Sequence, residues 1–472
     1  MSAGRQAPAF RDGVFMRMFD GTRPETGMNS PLKTQSRFDA REKAVSILIR
    51  VDESDAWADV LLDNCFRKEP WPPQDRALTT ELVYGVLRWR ARLQHAIRTL
   101  YHGRWGNIPQ GVRIALEAGL YQIFYLDRIP AYAAVNETVK WVTRHHGSRW
   151  GGRVNAMMRA AVRRGLPELQ TIKCPVQRLA LKESHPEWLV RRWSDQYGIQ
   201  RAESICRANN QRPPLFIRIN SRIWKDSAVD LIVRMGIEGT VSGYLQEFIR
   251  ADSGPWFHTD EFKQGIFSFQ DVSAGLVAHL MDVRPGDSVW DMTAAPGGKA
   301  AHMAELCPDA LIAASDRSRS RFEKIVENQN RLRLTNLVPI LADGRQAPFK
   351  SVDKVLIDAP CSGSGVLRRR GELRWRKRPE HLLELAAIQH ELLNAADQAL
   401  RKGGILIYST CSVLPEENGN VIDDFLKSHP SYIQEDAARF VDPSLVNSGR
   451  IETWPDLHDC DGSFAVRMRK IS

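Results

Sequence analysis

Apolar positions in the first third of the chain recur at steps of three and four. In "TTELVYGVLRWRARLQHAIRTLY", Leu82, Val86, Trp89, Leu93, Ile97 and Leu100 line one helical face. "VRIALEAGLYQIFYL" continues the pattern and stops before Arg128-Ile129-Pro130, where proline halts a helix. Arg41 to about Gly165 therefore reads as all-helical. Pro167, Pro175 and Pro186 then interrupt the pattern, and that stretch reads as a linker. "RPPLFIRINSRI" reads as a strand and "KDSAVDLIVRMG" as a short helix ending at Gly236, a small α/β unit.

From about Gln270 the period changes. Short apolar runs at 287–292, 310–315, 337–341, 354–358 and 404–410 read as strands, and helical stretches separate them. One of these, "HLLELAAIQHELLNAADQALRK", aligns Leu385, Ile388, Leu392, Ala396 and Leu400. Strands alternating with helices predict parallel βαβ units in a doubly wound sheet, with ligands at the carboxyl ends of the strands. The expected division is an extension over 1–37, a helical domain over 38–168, a linker and small α/β unit over 169–259, and a catalytic α/β domain over 260–472.

Composition narrows the class. A chain of 472 residues exceeds the ~250–300 that one core serves. No run approaches the ~18 apolar residues of a membrane span. Residues 1–37 hold Asp12, Asp20 and Glu25 and lack an apolar signal core, so they read as a disordered extension, or as an upstream start with initiation near Met28.

A net charge of +10 points to a polyanionic partner. The run "WVTRHHGSRWGGRVNAMMRAAVRRG" has six arginines, two histidines and no acid, which suits a solvated helix face or a phosphate-binding patch. Cys65, Cys174, Cys206, Cys307, Cys361, Cys411 and Cys460 form no CxxC pair and no His/Cys metal spacing. This odd, scattered set speaks against a disulfide framework and a zinc site, and for a reducing cytoplasm.

"VWDMTAAPGGKAAHMAE" places Asp291 at a strand end, then small residues, then a helix start with free N–H groups. The spacing lacks the full dinucleotide and phosphate-loop signals. Asp316 ends the next strand, where an acid can accept from a ribose diol, and Asp343 follows the third. Singly, each acid is an ordinary turn cap. Together with the Pro-Gly-Gly turn they suit a ribose- and adenine-bearing cofactor without phosphates, such as S-adenosylmethionine.

The fourth strand ends in "DAPCSGSG" and the fifth in "YSTCSVLPEEN", so Cys361 and Cys411 share the cofactor's edge of the sheet. Most cysteines are small buried hydrophobes. A thiol beside a methyl donor suggests instead methylation at C5 of cytosine: a thiolate adds to C6, C5 becomes nucleophilic, and the thiol is later eliminated. Asp358 is placed to stabilise charge developing near N3.

Residues 260–470 resemble the RNA cytosine-5 methyltransferase family motif for motif, in "FSFQDVSAGL", "DMTAAPGGK", "DAPCSGSGVLRR", the glutamine of "AIQHELL" and "YSTCSVLPEEN". The segment with "ELVYGVLRWR", "RIPAYAAVNETV" and "GRVNAMMRAAVRRG" is similar to the NusB-like RNA-binding domain. The combination resembles the bacterial 16S ribosomal RNA methyltransferase B group. It implies an all-α NusB-like domain, a small α/β unit and a Rossmann-like class I methyltransferase domain.

Carried over by position, the resemblance implies that Cys411 is the nucleophile and that Cys361 resolves the adduct, with Asp358 the third catalytic group. Thr293, Ala294, Ala295, Pro296, Gly297, Gly298 and Lys299 form the implied cofactor loop, with Asp316, Asp343 and Asp358 as further contacts. Thr293 stands where the family's loop usually begins with cysteine. The seven basic residues of "VLRRRGELRWRKRPE" are expected on RNA phosphates beside a flipped base, and Trp375 is assigned to the core. The expected enzyme is a cytoplasmic monomer that uses no metal. Its expected substrate is 16S ribosomal RNA, free or in an early small-subunit particle. Competing readings are transfer-RNA methylation by the same chemistry, DNA cytosine methylation through the P-C cysteine, and an inert ribosome-assembly factor.

Overall fold

The structure, a computed structural model, describes residues 39–54, 56–251, 256 and 259–472. The expected extension over 1–37 lies outside the described residues. Six helices come first: α1 (Ala40–Glu53), α2 (Ala58–Lys68), α3 (Pro73–Leu100), α4 (Gln110–Tyr125), α5 (Ala131–His146) and α6 (Ser148–Arg164). Asp39 starts α1 by accepting the N–H groups of Arg41 and Glu42, both at 3.0 Å. The predicted face of α3 is the buried one: Leu82, Val86, Leu93 and Ile97 join Leu48, Leu116 and Val154 in one core.

The proline-marked stretch is helical, not a linker: α7 (Pro175–Lys182), α8 (Glu187–Tyr197) and α9 (Ile199–Asn210) follow. Pro175 sits in the first turn of α7 and Pro186 is the residue before α8. A backbone N–H at a helix start has no intrahelical partner, so proline, which lacks that N–H, loses nothing there, and its fixed φ suits the position; these prolines open helices. Leu179, Leu189, Trp193 and Ile205 pack against Leu367, Leu373 and Leu414, so the three helices brace the loops after two strands of the C-terminal sheet.

A four-stranded antiparallel sheet comes next, built from β1 (Leu215–Ile219), β2 (Gly239–Val241), β3 (Phe248–Ala251) and β4 (Phe267–Phe269) in the order β2-β3-β1-β4. Two helices accompany it, α10 (Ala228–Met235) and α11 (Asp260–Lys263). A capping box between Ser227 and Asp230 starts α10, and Gly236 in the left-handed region ends it.

The remaining elements are α12 (Val272–Met281), β5 (Ser288–Asp291), α13 (Gly298–Leu306), β6 (Leu311–Asp316), α14 (Arg319–Leu332), β7 (Leu337–Leu341), β8 (Val352–Asp358), α15 (Leu373–Arg376), α16 (Glu380–Ala399), β9 (Leu400–Thr410), α17 (Gly419–Ser428), β10 (Tyr432–Glu435), β11 (Val446–Asn447), β12 (Arg450–Thr453) and β13 (Ser463–Lys470). They form one sheet in the order β11-β12-β13-β9-β8-β5-β6-β7, with β10 paired to β13. Strands β5 to β9 are parallel, and β13 runs antiparallel to β9. Both faces are buried. Val289, Ile312, Leu356, Ile405 and Ile407 face α12, α13 and α14, whereas Trp290, Ala313, Val355, Leu406 and Tyr408 face α16 and α17. This double burial explains the apolar runs within β5, β6, β8 and β9; at the edge strand β7, Val338 and Leu341 are exposed.

Candidate active site

The carboxyl ends of the parallel strands bring the expected site residues to one edge. The segment Thr293–Lys299 leaves β5 and turns into α13. Thr293 Oγ donates to the Asp358 carbonyl at 2.9 Å, and Ala294 N–H to the Ser315 carbonyl at 2.8 Å, so the loop is tied to the strands on both sides of β5. Gly297, at φ 98°, makes the turn that a side chain would strain, and α13 begins at Gly298. Buried Arg218 of β1 donates to the Gly298 carbonyl at 3.0 Å and to Glu305 of α13 at 2.7 and 2.9 Å. The small sheet thus holds the loop from behind.

The acids differ in what they already bind. Asp291 is fully buried, and its Oδ2 has no hydrogen-bond partner among the described residues. Burial, then the Asp358 charge, pushes its carboxyl up to about 8. Asp316 accepts the Ser318 N–H at 2.8 Å and pairs with Arg321 at 3.1 Å. Asp343 caps its own turn at Arg345 N–H, and its hydrogen bonds from the Arg345 side chain hold it down to about 2. Asp316 and Asp343 therefore also do the turn-capping work of the plainer reading.

Lys299 does not point along the loop. Its Nζ lies 2.6 Å from Asp358 Oδ2, while the Ser409 hydroxyl donates to Oδ1 at 3.0 Å. Against the pull of burial, Asp358 holds the ammonium charged. Asp358 of β8 thus joins the loop's Lys299 to Ser409 of β9.

The two cysteines meet. Cys361 Sγ and Cys411 Sγ are 3.2 Å apart across 50 positions of sequence. Gly365 N–H donates to the Cys411 carbonyl at 3.0 Å, and a Cβ on Gly365 would stand 2.0 Å from the Gly462 carbonyl oxygen, so only glycine fits there. The hydrogen bond from Cys361, then Lys299, lowers the Cys411 thiol; the same bond and burial raise Cys361. Burial, Asp358 and Glu417 oppose that lowering at Cys411, so the hydrogen bond from Cys361 is what chiefly carries it. Gln389 of α16 supports this loop by donating to the Pro360 carbonyl at 2.9 Å.

Residues 278–469 match the 16S rRNA methyltransferase RsmB/F family model, residues 39–163 the NusB family, and residues 185–254 the ferredoxin-like domain of the RsmF/B-like methyltransferases. The "Probable ribosomal RNA small subunit methyltransferase B" of Bacillus subtilis (strain 168) is 34% identical over 445 residues, covering 91% of this chain and 98% of that protein. This chain belongs to the ribosomal RNA small subunit methyltransferase B family. The member from Serratia proteamaculans (strain 568) is 34% identical over 408 residues, covering 84% of this chain and 91% of its own. The crystal structure of PH0851 shares the fold, with a TM-score of 0.76 at 24% identity over 91% of this chain and 98% of that one.

In this methyltransferase the basic segment after Cys361 is mostly spoken for, which corrects the expectation that its seven cations bind RNA. Arg368 and Arg369 pair with Asp461 at 3.0 and 2.5 Å, and Arg369 also with Asp271 at 2.6 Å. Buried Arg374 donates to the carbonyls of Arg88, Ser184 and Asn209 and to Asn210 Oδ1. Arg376 donates to the Ala56 carbonyl and lies over the Trp57 ring. Trp375, half-buried, donates to the Leu87 carbonyl at 2.6 Å, so it joins two domains instead of stacking on a base. Arg370 and Arg378 remain exposed. Cations interleaved with buried neighbours satisfy carbonyls, and sequence charge counting does not separate these from surface cations.

Sequence spacing also missed a cluster on the far side of α13. Glu247 accepts from His279 at 2.6 Å and from His302 at 3.1 Å. Burial and Arg218 hold His302 down at about 3, and the same guanidinium opposes a dication there. Among the described residues, no helix is long and apolar enough to cross a membrane.

Proposed function

We propose that this chain transfers a methyl group from S-adenosylmethionine to C5 of a cytosine in 16S ribosomal RNA through a covalent bond between Cys411 and C6. The observation that carries the reading is the pair of thiols at 3.2 Å beside a lysine–carboxylate pair at 2.6 Å. Both thiols are partly exposed at the carboxyl edge of the sheet, where a small buried hydrophobe is not what the packing asks for.

The residues present suit the cofactor. Asp291 offers an unpartnered buried carboxylate oxygen to a cationic group, and the small residues 294–298 let a ligand approach the backbone and the start of α13. When bound, S-adenosylmethionine supplies an electrophilic methyl group. Thr293 to Lys299, with Asp316 and Asp343, would hold it.

The chain's own groups do the rest. Cys361 donates its S–H to Cys411, which stays available as a thiolate. The Cys411 sulfur bonds to C6, and the displaced electron pair makes C5 nucleophilic. Lys299, held in place by Asp358, stabilises the negative charge developing at the pyrimidine N3 and O2. Once C5 carries the methyl group, its own proton leaves to water, the electron pair of that C–H bond restores the C5–C6 double bond, and the C6–S pair returns to the Cys411 sulfur. Cys361 then hydrogen-bonds the departing thiolate.

In this reading residues 38–168 dock RNA through the exposed arginines of α5 and α6, residues 169–259 brace the site, and residues 260–472 carry the chemistry. The enzyme acts as a cytoplasmic monomer, on free RNA or an early small-subunit particle.

Covalent trapping tests the reading. Wild type, Cys411→Ala and Cys361→Ala are incubated with 16S ribosomal RNA containing 5-fluorocytosine and with S-adenosylmethionine. Fluorine at C5 blocks the last elimination, so the attacking thiol stays bonded to RNA. The adduct should vanish in Cys411→Ala and persist in Cys361→Ala. Loss only in Cys361→Ala would reverse the two roles, and no adduct from wild type would reject the mechanism on this RNA.

A further inference from the structure

The two cysteine loops are joined by one carboxylate. Glu417 is fully buried at the end of a short turn, Pro415–Glu417, that follows β9. Its Oε1 accepts the Ser362 backbone N–H at 2.6 Å; its Oε2 accepts the hydroxyls of Ser362 and Ser412, each at 2.6 Å. Ser362 follows Cys361 and Ser412 follows Cys411, so a single side chain grips the neighbour of each thiol. The turn itself is pinned to β9. Tyr408 donates to the Glu417 carbonyl at 2.5 Å, Thr410 to Asn418 Oδ1 at 2.6 Å, and Asn418 to the Ser412 carbonyl at 2.9 Å.

We propose that Glu417 is a positioning residue that sets the distance between the two thiols, holding the Cys361 S–H within hydrogen-bond reach of the Cys411 sulfur. The proposal rests on the reading of Cys411 as the nucleophile. A buried anion disfavours a second anion nearby, so Glu417 as a bare charge works against a thiolate. Its value lies in geometry. A neutral residue would have spared the cost of burying a charge, yet only an ionised carboxylate accepts three short hydrogen bonds from two loops without donating one.

The two roles predict opposite signs. Besides Cys361, the charged groups acting on Cys411 are Asp358, Lys299 and Glu417, and Lys377 faces Glu417. If Glu417 acted only as a charge, Glu417→Gln would make Cys411 easier to ionise. If it positions Cys361, Glu417→Gln removes the hydrogen bond that favours the Cys411 thiolate, and ionisation becomes harder.

The full chain, without RNA or cofactor, is alkylated with iodoacetamide from pH 5 to 10, and modification of Cys411 is followed by residue-resolved mass spectrometry. We expect the midpoint in Glu417→Gln to rise by roughly 1 pH unit, towards that of Cys361→Ala, with Ser412→Ala moving less in the same direction. An unchanged or lowered midpoint in Glu417→Gln overturns the proposal. Should melting curves show that Glu417→Gln does not fold, Ser412→Ala, which keeps the carboxylate, decides in the same way. Because this readout needs no RNA, a missing wild-type adduct would reject the proposed function and leave the thiol result standing.

Discussion

Cys361 and Cys411 end adjacent parallel strands, β8 and β9, and their sulfur atoms stand 3.2 Å apart, within sulfur hydrogen-bond reach. In the proposed reaction the two sulfur atoms act differently. Cys411 attacks, and Cys361 keeps the proton. Cys361→Ala should therefore form the C6 adduct and release it slowly. With ordinary RNA and S-adenosylmethionine, denaturing gels should show a protein–RNA complex for Cys361→Ala and none for Cys411→Ala. Equal release from wild type and Cys361→Ala would remove Cys361 from the product-forming step.

Lys299 contributes a cation to Cys411 and a partner to Asp358. Lys299→Met keeps the volume and removes the charge. Cys411 alkylation should shift upward by roughly 1 pH unit, and turnover should fall by about 100-fold. Isothermal titration with the cofactor separates this from lost cofactor binding: affinity unchanged with turnover reduced places Lys299 on the substrate side.

Asp291 ties stability to pH. Its carboxyl titrates at about 8 in the folded protein and at about 3.9 in an unfolded chain. Between those values the folded state holds the extra proton, so its contribution to stability falls as pH rises and is fully lost above the higher value. Melting temperatures from pH 5 to 9 should decline less steeply in Asp291→Asn than in wild type. Parallel curves would mean that Asp291 ionises normally.

Arg374 joins α3, the turn after α7 and α9 to the segment behind Cys361. Arg374→Met removes four hydrogen bonds from a buried junction and should cost at least about 2 kcal/mol. Thermal melting should fall by about 2 °C or more. Arg374→Lys should not rescue it, because a point-charge ammonium cannot serve four acceptors spread around a planar fork.

Arg149, Arg163 and Arg164 are exposed on α6, whose other face buries Val154, Met157, Met158 and Ala161. Replacing the three with alanine should leave folding intact and weaken RNA binding. The slope of log affinity against log salt should fall by about 2 to 3. An unaltered slope would make this a solvated helix face with no phosphate contacts.

The parallel strands were legible because burial on both faces leaves an apolar run that any window detects. Residues 337–341 match the expected strand at both ends, and β6 is displaced by one residue at each end. The antiparallel edge from β10 to β13 carries weaker patterns; β11 spans only Val446–Asn447. Helices α7 to α9 were masked by Pro175 and Pro186, because a proline that ends one helix and a proline that begins another look the same without their neighbours.

What the sequence by itself determined was type and order: periodicities set by burial, and loops of small residues, acids and thiols placed after strands. These depend on a few neighbouring positions. Which side chains touch depended on strand order and packing. Only tertiary structure put Cys361 on Cys411, turned Lys299 onto Asp358, closed Glu417 over both serines, and paired Arg368, Arg369, Arg374 and Arg376 with acids and carbonyls of the protein itself. Each of those contacts is decided by where two distant backbones come to lie, and a local pattern carries no measure of that distance.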